Sequence, residues 1–287
     1  MSNMLNSLDK VQIKGKNLPE LQEWCLDSGY PKYRAKQIFE WMYLHGQTNP
    51  KLMTSLSKNI INDLDLYCIF QTLEIEKITS SNSEKTKKLL FRTIDNHFIE
   101  AVSMIDKTRH TVCLSSQIGC NVDCDFCATG KMGIKRNLNT GEIIDQLNYI
   151  RENIKTPITN IVFMGMGEPF LNYRRVLKAA DIFNNPKGYG FAAHRITIST
   201  AGVLPQINKF YKEKRRYKLA ISLNASNDLT RSKIMPINNK WSILSLIEIG
   251  KKHASRNRKV MFEYVLLAGI NDSIEAAEEL SRILKGI

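Results

Sequence analysis

Cys120-Asn121-Val122-Asp123-Cys124-Asp125-Phe126-Cys127 decides how this chain is read. Its three cysteines fall at spacings of four and three within one short loop. Thiolates are soft ligands that suit zinc, copper(I) and iron–sulfur centres. A structural zinc or a whole cluster asks for four protein ligands, and the loop offers three. A 4Fe–4S cluster held by three cysteines keeps one iron open to a small molecule. Phe126, beside the last cysteine, can shield such a cluster from water. The competing reading is a structural zinc with Cys113 as fourth ligand. Thr111-Val112-Cys113-Leu114-Ser115-Ser116, however, reads as a strand running into the loop, and a ligand there has to fold back across its own chain. The open cluster is the favoured reading.

Outward from this loop the chain alternates strand with helix. Strand-like runs fall at 111–117, 158–164, 194–199, 217–223 and 259–266, and helical runs at 140–153, 172–184, 204–213, 241–254 and 273–285. Such alternation implies parallel pairing with right-handed crossovers. Five units are too few for an eight-stranded barrel, so the expectation is a partial (β/α) barrel with its chemistry at the C-terminal strand ends. Met164-Gly165-Met166-Gly167-Glu168-Pro169 follows the second run. Glycines there let backbone approach a ligand closely, or they serve a tight turn and nothing more. Ser199-Thr200-Ala201-Gly202 follows the third run, and Ser222-Leu223-Asn224 the fourth. Their short polar side chains reach a ligand or cap the next helix.

Residues 1–60 read as helical, with Leu18, Leu21, Trp24 and Cys25 at helical spacing and a second helix over Tyr33–Tyr43 preceded by Pro31. Phe39 and Trp41 are read first as core. Lys32, Arg34 and Lys36 suit phosphates or a solvated face. Residues 87–92 and 98–104 read as two strands joined through Asp95-Asn96, which is turn chemistry. Glu100 interrupts the second of these, and periodicity alone points it to solvent. The division expected is a helical accessory domain at 1–65, a β extension at 66–105 and the α/β core at 106–287.

The 287 residues suffice for one large domain or two smaller ones. Forty-one Lys and Arg against 28 Asp and Glu leave a net charge of +13. That balance fits a polyanion, with nucleic acid the default partner. Basic clusters lie at 131–136, 209–218 and 251–259, of which the first, directly after the cysteine loop, is the better phosphate candidate. No apolar run is long enough to cross a membrane, and Met1–Leu5 lacks the features of a signal peptide. A cytoplasmic location is expected, where thiols stay reduced. The six cysteines are then no disulfide framework, and Cys25 and Cys68 read as small buried apolar residues.

The cysteine pattern with its aromatic resembles the radical S-adenosylmethionine superfamily. Ser115–Cys120, Phe126–Gly130, Lys135–Leu138 and Gly165–Pro169 together resemble the RlmN family of dual-specificity RNA methyltransferases. That resemblance implies a radical SAM fold, a 4Fe–4S cluster on Cys120, Cys124 and Cys127, and S-adenosyl-L-methionine at the open iron. Gly167, Glu168, Ser199, Ser222, Leu223 and Asn224 would contact that cofactor. The family usually has His at Asn224, which puts that side chain's role in question. The implied reaction methylates carbon 2 of an adenosine in 23S rRNA and in tRNA. Glu100 would be the proton acceptor at the adenine, and Cys113 would resolve a covalent RNA adduct. The electron donor would be flavodoxin or ferredoxin, and the enzyme a monomer. The sister Cfr family, which methylates carbon 8, tends to lack the proline found here as Pro169. The family's methyl-carrying cysteine lies in a C-terminal segment, and no cysteine here follows Cys127. A truncated chain, inactive alone or acting only as a cluster- and RNA-binding fragment, is therefore a further expectation.

Overall fold

The computed structural model describes residues 10–255 and 259–286. Met1–Leu5, Arg256–Arg258 of the third basic cluster and Ile287 lie outside the described residues.

Strand β1 (Val11–Gln12) leads into helix α1 (Leu18–Asp27). Asn17 accepts from the Glu20 amide while the Glu20 carboxylate accepts from the Asn17 amide, so two otherwise unpaired donors are satisfied reciprocally. Helix α2 (Arg34–Phe39) passes into a π-helical turn at Glu40–Leu44, so the helix predicted over Tyr33–Tyr43 changes winding near its end. Phe39 is core and Trp41 is half-buried. Then come α3 (Lys58–Tyr67), β2 (Cys68–Ile69), β3 (Leu73–Ser80), β4 (Thr86–Thr93), β5 (Phe98–Asp106), β6 (Arg109–Cys113) and β7 (Gln117–Gly119). The cysteine loop precedes α4 (Ala128–Lys131) and β8 (Ile134–Asn137). The remainder runs α5 (Thr140–Asn153), β9 (Asn160–Phe163), α6 (Tyr173–Asn184), β10 (Ile196–Thr200), α7 (Leu204–Lys212), β11 (Lys218–Ser222), α8 (Asp228–Ile234), α9 (Ile243–Ala254), β12 (Val260–Glu263) and α10 (Ile274–Leu284).

One compact unit gathers the chain up to Val112 with 138–159 and 174–192. β3, β4 and β5 form an antiparallel meander, and β6 continues it. Asn96 takes φ 60° in the β4–β5 turn, a left-handed conformation that Asn tolerates. β3, like the short β1, β2 and β8, is a strand that the residue pattern did not announce. Beyond Leu73 its side chains are mostly exposed, so it carries charges on positions where a core strand shows apolar ones. α5 is buried almost all round, from Thr140 to Asn148, and it brings polar residues inside with it. Asp145 is one of these. Its Oδ2 accepts from the Thr72 amide at 2.6 Å and the Thr72 hydroxyl at 2.7 Å, and its Oδ1 lies 3.5 Å from Lys14 Nζ. Burial pushes the Asp145 carboxyl up and the Lys14 ammonium down, and each charge opposes the other's shift.

The second unit holds 113–137, 160–173 and the chain from Ala193. β9, β10, β11 and β12 pair in parallel in that order. Ile196, Ile198, Leu219, Ala220 and Ile221 are buried, the near-continuous apolar pattern that a parallel sheet covered on its faces requires. Phe210 of α7 meets Phe170 with ring centroids 5.7 Å apart. On α9, a Cβ at Gly250 would stand 2.8 Å from the Phe262 ring, so glycine lets helix and strand close. This is the partial (β/α) arrangement expected from residue 110 onward. It leaves Ser199 and Thr200, Ser222, and Glu263 at the C-terminal ends of three adjacent strands.

Removing one member of a buried ion pair strands the other charge. Asp145→Ala should cost about 3–5 kcal/mol of stability, read as a lower urea midpoint. Lys14→Met combined with Asp145→Leu should restore most of it. A single substitution within about 0.5 kcal/mol of wild type would show that the pair is not buried in solution.

Candidate active site

The cysteine loop hangs from the β7–β8 hairpin. Gly119, at φ +74°, ends β7, and a Cβ there would lie 1.7 Å from the Gly133 carbonyl oxygen. Only glycine permits that approach, and it lets the Cys120 amide donate to the same carbonyl at 3.2 Å. Asp123 turns the loop with φ 55°. The Cys127 amide donates to the Cys124 carbonyl at 3.0 Å, and the Asp125 amide to the Ile234 carbonyl at 2.9 Å. Cys120 is buried, and Cys124 and Cys127 are half-buried.

All three cysteines line one cavity of about 410 Å³ together with Gly167, Glu168, Ser199, Ser222 and Asn224. Among the described residues no three His, Cys, Asp or Glu side chains gather at a single metal-sized point. Three thiols lining one cavity are nonetheless the kind of donor that iron–sulfur centres use. Burial pushes the Cys120 thiol up, with the Glu168 and Cys127 charges adding to it and the Val122 amide opposing. Cys124 is pushed to about 12 by burial, then by the Cys127 and Cys120 charges. Cys120 and Cys124, held protonated by burial and further by neighbouring negative charge, suit a cationic group, which removes that repulsion and takes thiols as thiolates. The residues fit a cluster.

The Gly-Met-Gly-Glu turn stands against β7. Gly167 has φ +94°, and a Cβ on it would meet Gln117 Cβ at 2.4 Å. The Glu168 amide donates to Gln117 Oε1 at 2.7 Å, and the Met166 amide to Ser115 Oγ at 2.9 Å. Glu168 is itself buried. Its Oε1 accepts from the Phe170 amide at 3.0 Å and its Oε2 from the Ala201 amide at 2.7 Å. Burial nevertheless pushes this carboxyl up to about 7.

Neither Ser199, Ser222 nor Asn224 caps a following helix. Asn227 caps α8, and Thr200 Oγ1 accepts from the Gly202 and Val203 amides ahead of α7. Ser199 and Ser222 instead donate to one oxygen of Glu263. Asn224 takes φ 57°. Its Oδ1 accepts from the Val265 amide at 2.9 Å and its Nδ2 donates to Met235 Sδ at 3.2 Å. The side chain thus ties the loop after β12 in place. Asn271 completes the tie, donating to the Asn224 and Val265 carbonyls at 2.7 and 2.8 Å. Leu223 is not on the cavity wall; its side chain is buried and its carbonyl accepts from Arg231. Cys113 ends β6, half-buried, its thiol pushed up to about 11 by burial with help from the Glu263 charge. Glu100 lies on β5 in the other unit, half-exposed, its carboxylate 2.9 Å from Lys88 Nζ.

Residue pattern missed Glu263 and Arg231. Glu263 carried a signal, since it is the lone carboxylate within the strand run predicted at 259–266. Arg231 carried none, because it lies in a short polar helix. In the structure it is buried and donates to four acceptors: the Leu223 carbonyl at 2.8 Å, the Ser222 carbonyl at 2.9 Å, the Ala201 carbonyl at 2.6 Å and Asn238 Oδ1 at 2.9 Å.

Comparison with known proteins matches residues 114–280 to the Radical SAM superfamily model and residues 11–69 to the model for the ribosomal RNA large subunit methyltransferase N-terminal domain. The chain is 45% identical over 270 residues to a probable dual-specificity RNA methyltransferase RlmN of Dictyoglomus turgidum, covering 93% of this chain and 76% of that one. It is 40% identical to the dual-specificity RNA methyltransferase RlmN of Geobacter sulfurreducens, covering 96% of this chain and 76% of that protein. Among solved structures, a radical SAM methyltransferase from Sphaerobacter thermophilus superposes with a TM-score of 0.91 at 40% identity, over 96% of this chain and 82% of that one.

Arg231→Gln should leave buried carbonyls unpaired at two strand ends. A loss of about 3 kcal/mol or more is expected, seen as a lower melting temperature with faster hydrogen exchange around Ala201 and Leu223. Exchange and melting unchanged from wild type would contradict the strapping role.

Proposed function

We propose, for a chain that belongs to the RlmN family of dual-specificity RNA methyltransferases, that it methylates carbon 2 of an adenosine in 23S rRNA and in tRNA. The observation that carries this reading is the convergence of three cysteines, a Gly-Glu turn and two strand-end serines on one cavity. Cys120, Cys124 and Cys127 would hold a 4Fe–4S cluster, and Gly167, Glu168, Ser199, Ser222 and Asn224 would surround S-adenosyl-L-methionine. When bound, the two supply one-electron chemistry that no side chain offers. An electron-donating protein of the flavodoxin or ferredoxin kind would feed it.

The protein's own residues supply placement. Gly165 and Gly167 let the turn close against Ser115 and Gln117, where a side chain has no room, and so set its backbone on the cavity wall. Glu168, held by two amides, offers an acceptor for the cofactor's ammonium group. Cys113 is the thiol proposed to resolve an RNA adduct. Burial keeps it protonated at neutral pH, so it acts once a base draws its proton. Glu100 is the proposed proton acceptor at the adenine ring. An adenine must leave its stack to reach a buried site, and the basic cluster from Lys131 to Arg136 beside the cysteine loop is placed in sequence to meet its phosphates. Among the described residues no helix is long and apolar enough to cross a membrane; a cytoplasmic site of action is proposed.

RNA from cells with and without the gene tests the reaction. Mass spectrometry should find 2-methyladenosine only where the gene is present, and Cys124→Ala should abolish it together with the iron. Methylation at carbon 8 instead, or zinc in protein purified without oxygen, would defeat the reading.

Glu168 adds a pH signature. Its folded pKa is raised to about 7, so it is protonated below that pH and ionised above it. An ammonium ligand needs the ionised form. Affinity for S-adenosyl-L-methionine, measured by equilibrium dialysis, should rise about tenfold between pH 5.5 and 7, and Glu168→Gln should flatten the curve. A flat wild-type profile would assign the ammonium to another acceptor.

A further inference from the structure

Glu263 closes β12 and stands on the cavity wall. Its Oε2 accepts from Ser199 Oγ at 2.6 Å and from Ser222 Oγ at 3.0 Å. One carboxylate oxygen thus gathers hydroxyls from β10 and β11 onto β12. A serine hydroxyl has a single proton. With both protons directed at Glu263, the two serine oxygens present only lone pairs to the cavity. Oε1 of Glu263 accepts no hydrogen bond among the described residues. This corner of the site is therefore made of acceptors and carries one negative charge. What fits it is a ligand edge with two adjacent donors and no negative charge.

S-adenosyl-L-methionine has two such groups, the ammonium and the vicinal 2′ and 3′ hydroxyls of the ribose. Their places in the cavity differ. Glu168 stands in the turn after β9, whereas Glu263 ends β12, three strands along the parallel set. An amino-acid end directed at the open iron of a cluster falls on the Glu168 side. The nucleoside end then falls at β10, β11 and β12. A carboxylate at the end of a strand is also a recurrent solution for reading a ribose diol.

We infer that Glu263 is the residue that recognises the ribose diol of the cofactor, with Ser199 and Ser222 oriented by it rather than acting as independent contacts. This inference rests on the proposed cofactor reading. Glu263 recognises the sugar and takes no part in breaking or making bonds.

The test uses the whole chain, reconstituted with iron and sulfide under anaerobic conditions, and Glu263→Gln, which keeps the shape and removes the charge. Three probes are titrated by calorimetry: S-adenosyl-L-methionine, its 2′,3′-dideoxyribose analogue and L-methionine. Glu263→Gln should weaken S-adenosyl-L-methionine about tenfold or more, as loss of a charged hydrogen-bond acceptor does. Affinities for the dideoxy analogue and for L-methionine should stay within about twofold of wild type, which closes a double-mutant cycle on the diol. The cluster's visible absorbance should not change, and Glu263→Asp should recover part of the affinity. Equal binding of S-adenosyl-L-methionine by wild type and Glu263→Gln overturns the inference alone. So does an equal loss for all three probes with a lower melting temperature, which marks a tie between strands only. A wild-type protein that binds its cluster but no S-adenosyl-L-methionine overturns the cofactor reading, and this inference with it.

Discussion

Four acceptors meet the guanidinium of Arg231 where water does not reach. Parallel strands end in carbonyls that have no partner of their own, and a buried carbonyl without a donor is costly. Arg231 satisfies those of Ala201, Ser222 and Leu223 with one planar fork, a geometry that lysine lacks. Glu168 does the converse from the other side, accepting from the Ala201 amide. The peptide groups flanking Ala201 are thus pinned between a carboxylate and a guanidinium. Everything that the cavity asks of β10 and β11 depends on that restraint, since Ser199 and Ser222 point usefully only while their strand ends stay fixed.

A second tier of restraint lies in backbone that side chains cannot occupy. Gly119, Gly165 and Gly167 each stand where a Cβ would collide with main chain or with the root of a side chain. Asn224 takes the left-handed conformation that short polar residues accept more readily than bulky ones. Its amide then ties the loop carrying Val265. That accounts for an asparagine at a position where the resemblance calls for histidine: the side chain serves the loop from where it stands on the cavity wall.

The residues announced what depends on local spacing. The cysteine loop, the Gly-Glu turn and α5, whose bounds at 140 and 153 match the expected run, were all legible because neighbours in sequence define them. Elements whose identity depends on distant partners were not. β3 alternates Glu, Ile, Glu and Lys on a mostly exposed strand, and only its pairing with β4 makes it one. α8 is seven residues of mixed polarity with a buried arginine at its centre, which reads as a solvated turn until the strand-end carbonyls around it are known. The run expected at 111–117 breaks at Leu114–Ser116: the Leu114 amide still donates to Val162 of β9, but the Ser116 and Gln117 amides both turn to the one carbonyl of Met166 beyond that strand. For the site, pattern gave Ser199 and Ser222 two roles, ligand or cap. The structure brings in Glu263 as the acceptor that neither role foresaw.

The Lys14–Asp145 pair inside the first unit has a thermal consequence. Hydration of ions carries a strongly unfavourable entropy, so the penalty for burying a charge shrinks as temperature rises, while the gain per area of apolar contact levels off. Near room temperature a well-packed apolar pair in that place would match the ions or exceed them. On heating the ions close the gap. The pair therefore flattens the decline of stability at the warm end of the protein's range, and a replacement chosen for its performance in the cold would give that benefit up.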